Sequence, residues 1–434
     1  MNICMFTNTY LPHVGGVARS VSTFAADLRQ KGHQVLIIAP TYPTASASED
    51  KDSGVFRVPA IQNFNGSDFS VRLPLPYLTH KQIDKFKPDI MHSHHPFLLG
   101  DTALRTSRSR GLPLVFTHHT LYENYTHYVP FDSEIVKSFI IQLSTEYANL
   151  CHGVIAPSRS VAELLRQRGV LSPVAEIPTG IDIDFFSQGQ GEKFRQEHRI
   201  SPGTALVGHV GRLAAEKNLL YLARAVALYL RHNQDCRFLI VGRGDAEKEI
   251  GQIFSEAQVL PQVIIVGPLQ HEDLANAYRA MDLFVFASQS ETQGLVLAEA
   301  MAAGTPVIAL DASGAREVVE DGRNGRLLRD NATIEDYAAA IEEFFHNRAQ
   351  AAELRRHALT TARLFSRTNS ADRLIAFYEE TIRRCRDCPP AGGEMGNLIS
   401  LMQMLKTEWE LLSEKMTAAL HAATDKQAHR EREW

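Results

Sequence analysis

The same alternation runs through both halves of this 434-residue chain: a short unbroken apolar run, a polar cluster, then an amphipathic helical stretch. The first half has NICMFT (2–7), VLIIAP (35–40), DIMHSH (89–94), PLVFTHH (113–119) and GVIAPS (153–158). The second has TALVGHVG (204–211), RFLIVG (237–242), VIIVGP (263–268), LFVFAS (283–288) and PVIAL (306–310). A strand that is apolar throughout is buried on both faces, and helices between strands carry the chain back for parallel pairing. The pattern therefore predicts an α/β protein with two Rossmann-like, doubly wound domains facing across a cleft. The expected domains are 1–180 and 181–365, linked near EIPTGIDIDFF (176–186), where Pro178 and Gly180 break the pattern. Residues 333–387 read as consecutive helices, and the last, at about 366–386, is long enough to cross back onto the first domain.

Beyond CRDCPPAGGE, residues 391–434 read as a separate helical tail. Leu398, Leu401, Leu405, Leu412, Met416 and Leu420 keep helical spacing there. Its mixed charge suits packing or homo-oligomerisation better than a membrane surface, which favours Lys and Arg.

Hydrophobic content of 44% and charged content of 22% are those of an ordinary globular protein, and no run of 18 apolar residues is present. The N-terminus lacks a basic segment followed by an apolar one, so it reads as a first strand. Five scattered cysteines suit a reducing, cytoplasmic setting. Cys385 and Cys388 form a lone CxxC without a second pair, a poor case for zinc or redox chemistry. A net charge of −5 excludes a nucleic-acid binder driven by bulk charge. The balance is +2 over residues 1–180 and −5 over 181–370, so the first half tolerates an anionic partner better.

Open α/β sheets bind ligands beyond the carboxyl ends of their strands. The polar clusters NTYLPHVGG, HSHHP, THHTLYENYTHY, GRLAAEK, GRGD, GPLQHED and SQSETQG all fall at such ends. The most informative is ETQGLVLAE, which runs from a strand through a loop into a helix beginning near Leu295. Amides of Gly294, Leu295 and Val296 lie open at that helix start, where the dipole favours anions. Glu299, one turn inside, suits the paired hydroxyls of a ribose. Glu291, on the loop, suits a sugar hanging from the diphosphate. A helix-dipole carboxylate and a solvated loop charge are the plainer alternatives. In GRLAAEKN, Arg212 offers a planar fork and Lys217 a compact charge, together matched to a diphosphate, or ordinary charges before a helix.

In the first half, Gly15 and Gly16 precede a helix; the pair permits close backbone approach and positive φ, or simply a tight turn. It is not a GxGxxG fingerprint, so nicotinamide-type dinucleotide binding is unsupported. THHT places His118 and His119 at a strand end with opposite side-chain directions, so at most one faces the cleft. His92, His94 and His95 suggest either a metal site or polar strand-end lining, without an adjacent acidic ligand. Tyr122, Tyr125, Tyr128 and Phe131 suit a lipid acceptor or a membrane interface, or a loop packing its own rings. Arg105, Arg108 and Arg110 read as lipid-phosphate contacts or as a solvated face.

Taken together, the GGV loop, GRLAAEKN, GPLQHEDL and SETQGLVLAEAMAAGTPV resemble glycosyltransferase family 4, retaining enzymes of the two-domain B-type fold, over roughly residues 1–385. HSHHPFLLG and THHTLYENYTHYVP are similar to the branch that glycosylates diacylglycerol lipids. The tail beyond Cys388 has no counterpart in the pattern. The resemblance implies that Arg212 and Lys217 bind the donor diphosphate with the 294–296 amides. It implies Glu299 on the ribose, Glu291 on the transferred sugar, and Gly267 to Leu269 presenting backbone to the base. Gly16, beside Gly15, would approach the phosphate, and His119 would contact the sugar near the reacting carbon. No metal or other cofactor is implied. The donor it implies is a nucleotide sugar, UDP-glucose by default with GDP-mannose next. The acceptor it implies is a lipid such as diacylglycerol, with peripheral contact to the inner membrane face through the first domain. A soluble sugar or polyol acceptor, a sugar-nucleotide epimerase and a non-catalytic sugar-nucleotide binder are the competing readings.

Overall fold

The computed structural model describes residues 1–13, 15–42, 54–61, 71–72, 76–123, 134–289 and 291–386. The Cys388 half of the CxxC, Tyr125, Tyr128, Phe131 and the 391–434 tail lie outside the described residues. The chain forms two compact units, Met1–Thr179 with Ser370 onward, and Gly180–Asn369.

The first unit is built on strands β1 Asn2–Phe6, β2 Gln34–Pro40, β3 Val55–Val58, β6 Ile90–Ser93, β7 Leu114–Thr117, β8 Gly153–Ala156 and β9 Val174–Glu176. All pair in parallel, in the order β3-β2-β1-β6-β7-β8-β9. Between β3 and β6, β4 Ala60–Ile61 and β5 Val71–Arg72 make a small antiparallel pair. One face of the sheet packs Val21, Phe24 and Leu28 of helix Gly16–Gln30 with Leu374, Phe377 and Tyr378 of helix Arg367–Arg386. The opposite face packs Leu104, Phe116, Tyr147 and Leu165.

The second unit has β10 Ala205–Val210, β11 Cys236–Val241, β12 Val263–Val266, β13 Leu283–Phe286, β14 Val307–Leu310 and β15 Gly325–Leu328. Its order is β12-β11-β10-β13-β14-β15, again wholly parallel. Phe284, Phe286, Leu297 and Met301 fill one face and Leu222, Val226, Phe238 and Ile341 the other. In both units the order winds outward from the first strand and then reverses. That reversal makes a topological switch point between β1 and β6, and another between β10 and β13. At the second switch only Val207↔Leu283 and Gly208↔Phe284 are in register, so the strands part towards their carboxyl ends.

The expected α/β architecture of two Rossmann-like sheets is what the chain adopts. Strands β3, β9 and β15 were absent from the expectation. VFRV, VAE and GRLL are short and carry charge, so neither continuous apolarity nor clean alternation marks them. Among the described residues no helix is long and apolar enough to cross a membrane.

Candidate functional site

At the second switch point, β10 leads into a 3-10 turn, Ala215–Lys217, closed by Asn218 in the left-handed region at φ 53°. This turn delivers Lys217, whose Nζ forms an ion pair with Glu291 from the loop after β13. The two side chains are 17% and 20% exposed, so water screens the pair only partly. Arg212 is ion-paired with Glu216 and is half exposed. The cations expected to meet a diphosphate are thus each held by a carboxylate.

The loop carrying Glu291 takes its shape from two glycines. Gly294 sits at φ 74° and Gly314 at φ 80°, a region that favours glycine. A Cβ on Gly294 would come 2.7 Å from the Gly314 carbonyl oxygen, and one on Gly314 would come 2.8 Å from Glu291 Cβ. The loops after β13 and β14 nest backbone to backbone and fix the approach to helix Leu295–Ala302. The amides of Gly294, Leu295 and Val296 donate to no described group, while Leu297 N–H already bonds Gly294 O. Glu299 is 1% exposed and accepts a 3.0 Å hydrogen bond from the Tyr278 hydroxyl. Gly267 follows β12, where a Cβ would lie 3.6 Å from Arg243 Nη2, and Leu269 packs on the core edge.

Sequence reasoning passed over Tyr278, Gly314 and His209. His209 fills the parting of β10 and β13, its Nδ1 3.1 Å from Val285 O. A carbonyl only accepts, so Nδ1 carries the proton. Burial pushes the pKa of His209 down to about 4 and keeps the ring neutral. A histidine inside the apolar run TALVGHVG was the signal available.

In the first unit, β6 and β7 end in an imidazole layer. His92 is hydrogen-bonded at both ring nitrogens, to Tyr378 Oη and Thr117 Oγ1, each at 2.6 Å. His94 Nδ1 lies 2.9 Å from His119 Nε2. His95 Nδ1 accepts the Asn8 N–H at 3.1 Å. Burial lowers His92 and His95 to about 3 and holds His94 and His119 well below the usual imidazole range, so all are neutral at pH 7. Among the described residues no three His, Cys, Asp or Glu side chains converge in a metal-binding set. His118 is fully buried and packs on Phe116 and Tyr122, whereas His119 is partly exposed.

Three expectations are corrected. Gly15 has φ −171°, extended backbone open to any residue, and Gly16 is not in the positive-φ region. What distinguishes Gly16 is space: a Cβ there would meet nothing within 4 Å. Arg108 and Arg110 are engaged inside the unit. Arg108 donates to Leu150 O at 3.0 Å and Arg110 pairs with Asp84 at 2.7 Å. Tyr122 lies between Phe97 and His118 and is not a wet boundary ring.

A family model described as glycosyl transferases group 1 matches residues 190–363, and one described as Glycosyltransferase Family 4 matches residues 14–185. Over 79% of this chain and 78% of its own length, alpha-monoglucosyldiacylglycerol synthase of Streptococcus pneumoniae is 31% identical. The GDP-mannose-dependent alpha-mannosyltransferase of Mycolicibacterium smegmatis is 30% identical over 88% of this chain and 98% of its own. Among solved structures, Anabaena HepE in complex with UDP-glucose superposes with a TM-score of 0.70 at 20% identity, covering 87% of this chain and 99% of that one.

Proposed function

Because this chain belongs to glycosyltransferase family 4, we propose that it transfers glucose from UDP-glucose to a diacylglycerol-type lipid at a membrane surface, retaining the anomeric configuration. The observation that carries the donor side is the Lys217–Glu291 pair beside the open amides of Gly294, Leu295 and Val296. Breaking a sugar–phosphate bond leaves an oxocarbenium-like sugar and extra negative charge on the nucleoside diphosphate. Donors fixed in advance towards that charge lower the barrier most. In this reading the Lys217 ammonium and the helix amides take the leaving phosphate, aided by Arg212, and Glu291 turns to a hydroxyl of the sugar. Glu299 holds the ribose, Gly267 to Leu269 meet the base, and Gly16 gives the phosphate room to approach. His119 contacts the sugar near the reacting carbon. The departing phosphate accepts the acceptor's proton on the face it leaves.

Glucose and a lipid acceptor rest on likeness to the pneumococcal synthase; the mycobacterial relative favours mannose from GDP-mannose as the second reading. The test is release of nucleoside diphosphate across a panel of nucleotide sugars, followed by mass spectrometry of products with diacylglycerol vesicles and with soluble sugars. UDP release from UDP-glucose with a glucosylated lipid product is expected. GDP release from GDP-mannose alone, or a product only on soluble sugars, overturns the corresponding half of the proposal.

A further inference from the structure

Two neutral imidazoles 2.9 Å apart share one hydrogen, so either His94 donates from Nδ1 to His119 Nε2, or His119 donates from Nε2 to His94 Nδ1. The other nitrogen of His94 decides between them. His94 Nε2 is buried and has no hydrogen-bond partner. Were His119 the donor, His94 would carry its own proton on Nε2, leaving an N–H without a partner in the interior. Such orphans are rare and cost about 1–3 kcal/mol, while an unmet acceptor is more readily tolerated. With His94 as donor, Nε2 is a bare lone pair and the proton of His119 sits on Nδ1.

The surroundings hold His94 in place for this. Its ring centroid lies 4.0 Å from that of His92, which is itself tied at both nitrogens to Tyr378 and Thr117. Its backbone N–H donates to Phe6 O at 2.9 Å across the β1–β6 switch. Thr117 and His119 stand two residues apart at the end of β7, as His92 and His94 do at the end of β6. The two strand ends thus meet through matched pairs of side chains.

We propose that His94 is a positioning residue that holds His119 in the Nδ1-protonated tautomer, so that His119 presents an N–H donor and not a lone pair to the bound nucleotide sugar. The role at the sugar rests on the glycosyltransferase reading; the tautomer does not. A donor near the reacting carbon supports a sugar hydroxyl or the oxygen gaining charge, whereas a lone pair there would repel either.

The first measurement needs no substrate. Long-range proton–nitrogen correlation spectra of ligand-free protein carrying ¹⁵N-histidine, with His119→Gln used for assignment, report which nitrogen of His119 is protonated. Protonation on Nδ1 is expected; protonation on Nε2 overturns the proposal. The second compares His94→Asn, which keeps an N–H donor near the Nδ1 position, with His94→Asp, which offers only acceptors and forces the His119 proton onto Nε2. With UDP-glucose and UDP release as the readout, His94→Asp is expected to lose about 10²-fold in kcat, with KM changed far less. His94→Asn is expected to recover at least roughly tenfold of that loss. An Asn variant no better than the Asp variant, with both folded, overturns the proposal. Failure of the wild-type protein to release UDP removes the glycosyltransferase reading and leaves the spectroscopic result standing on its own.

Discussion

At the carboxyl ends of β6 and β7 the first unit gathers imidazoles that are largely buried, neutral and bonded to one another, to a phenol and to a hydroxyl. At the corresponding ends of β10 and β13 the second unit gathers an ammonium, a guanidinium and carboxylates, paired and partly wet. The folds beneath are alike, with strand orders that reverse at the same place. The difference lies in what each end can tolerate. A neutral polar layer survives drying as long as its hydrogen bonds close, whereas a charged one needs a counter-charge or water. Hence the first end is sensitive to added protons, and the second to deleted charge.

Acid exposes the contrast most strongly. A histidine whose folded pKa lies below its unfolded value of about 6.5 binds its proton more readily when unfolded. Stability therefore falls as pH drops below about 6.5 and levels off only near the folded values, about 3 for His92 and His95 and about 4 for His118. From pH 7.5 to 5.5 each such histidine costs up to about 1.4 kcal/mol. The first unit has five at its carboxyl strand ends, with His94 and His119, and His152 besides, against His209 alone among the described residues of the second. Urea unfolding read by pulse proteolysis at the two pH values should show the first unit losing several times more stability. Equal losses would break the comparison.

Deleting charge acts on the other end. Lys217→Ala should lower kcat by about 10²–10³-fold, the effect of removing one preorganised donor to developing charge, while the melting profile of the first unit stays put. Normal steady-state turnover in this variant would remove Lys217 from the chemistry. Glu299→Gln replaces a buried carboxylate that accepts from Tyr278 with a neutral amide. A charge-assisted hydrogen bond of about 1.5–3 kcal/mol to the ribose would then be lost, read as a donor KM raised roughly tenfold or more. The smallest effect is expected from Gly314→Ala. Its φ of 80° costs a side chain about 1–2 kcal/mol, and the Cβ would push on Glu291. Donor KM should rise about tenfold, and a crystal structure of the variant should show the 291–294 loop displaced.

Most of the scaffold was written in the chain plainly. LFVF and VIAL are buried strands by apolarity alone, VIIV is an equally apolar edge strand that stays partly exposed, and GRLAAEK and ETQG stood at strand ends whose nearness followed from parallel order. What escaped was whatever depends on contact between distant segments. The approach of Gly314 to Glu291, the enclosure of Glu299 by Tyr278 and the meeting of His94 with His119 leave no periodic trace in sequence. The same limit misjudged Gly15 and Gly16, where a glycine pair reads as a special conformation and the structure instead shows ordinary backbone with open space at Gly16. It also left Arg108 and Arg110 looking available, though both have partners within their own unit.

Helix Arg367–Arg386 supplies Leu374, Phe377 and Tyr378 to a core otherwise made from the first 180 residues. On a ribosome, the second unit is therefore finished before the first can close. At about 5–20 residues per second the earlier sheet waits roughly ten seconds or more for the phenol that caps His92. During that interval the nascent N-terminal half leaves uncovered the part of one apolar face that this helix packs, which makes it the stretch for which a chaperone is most needed.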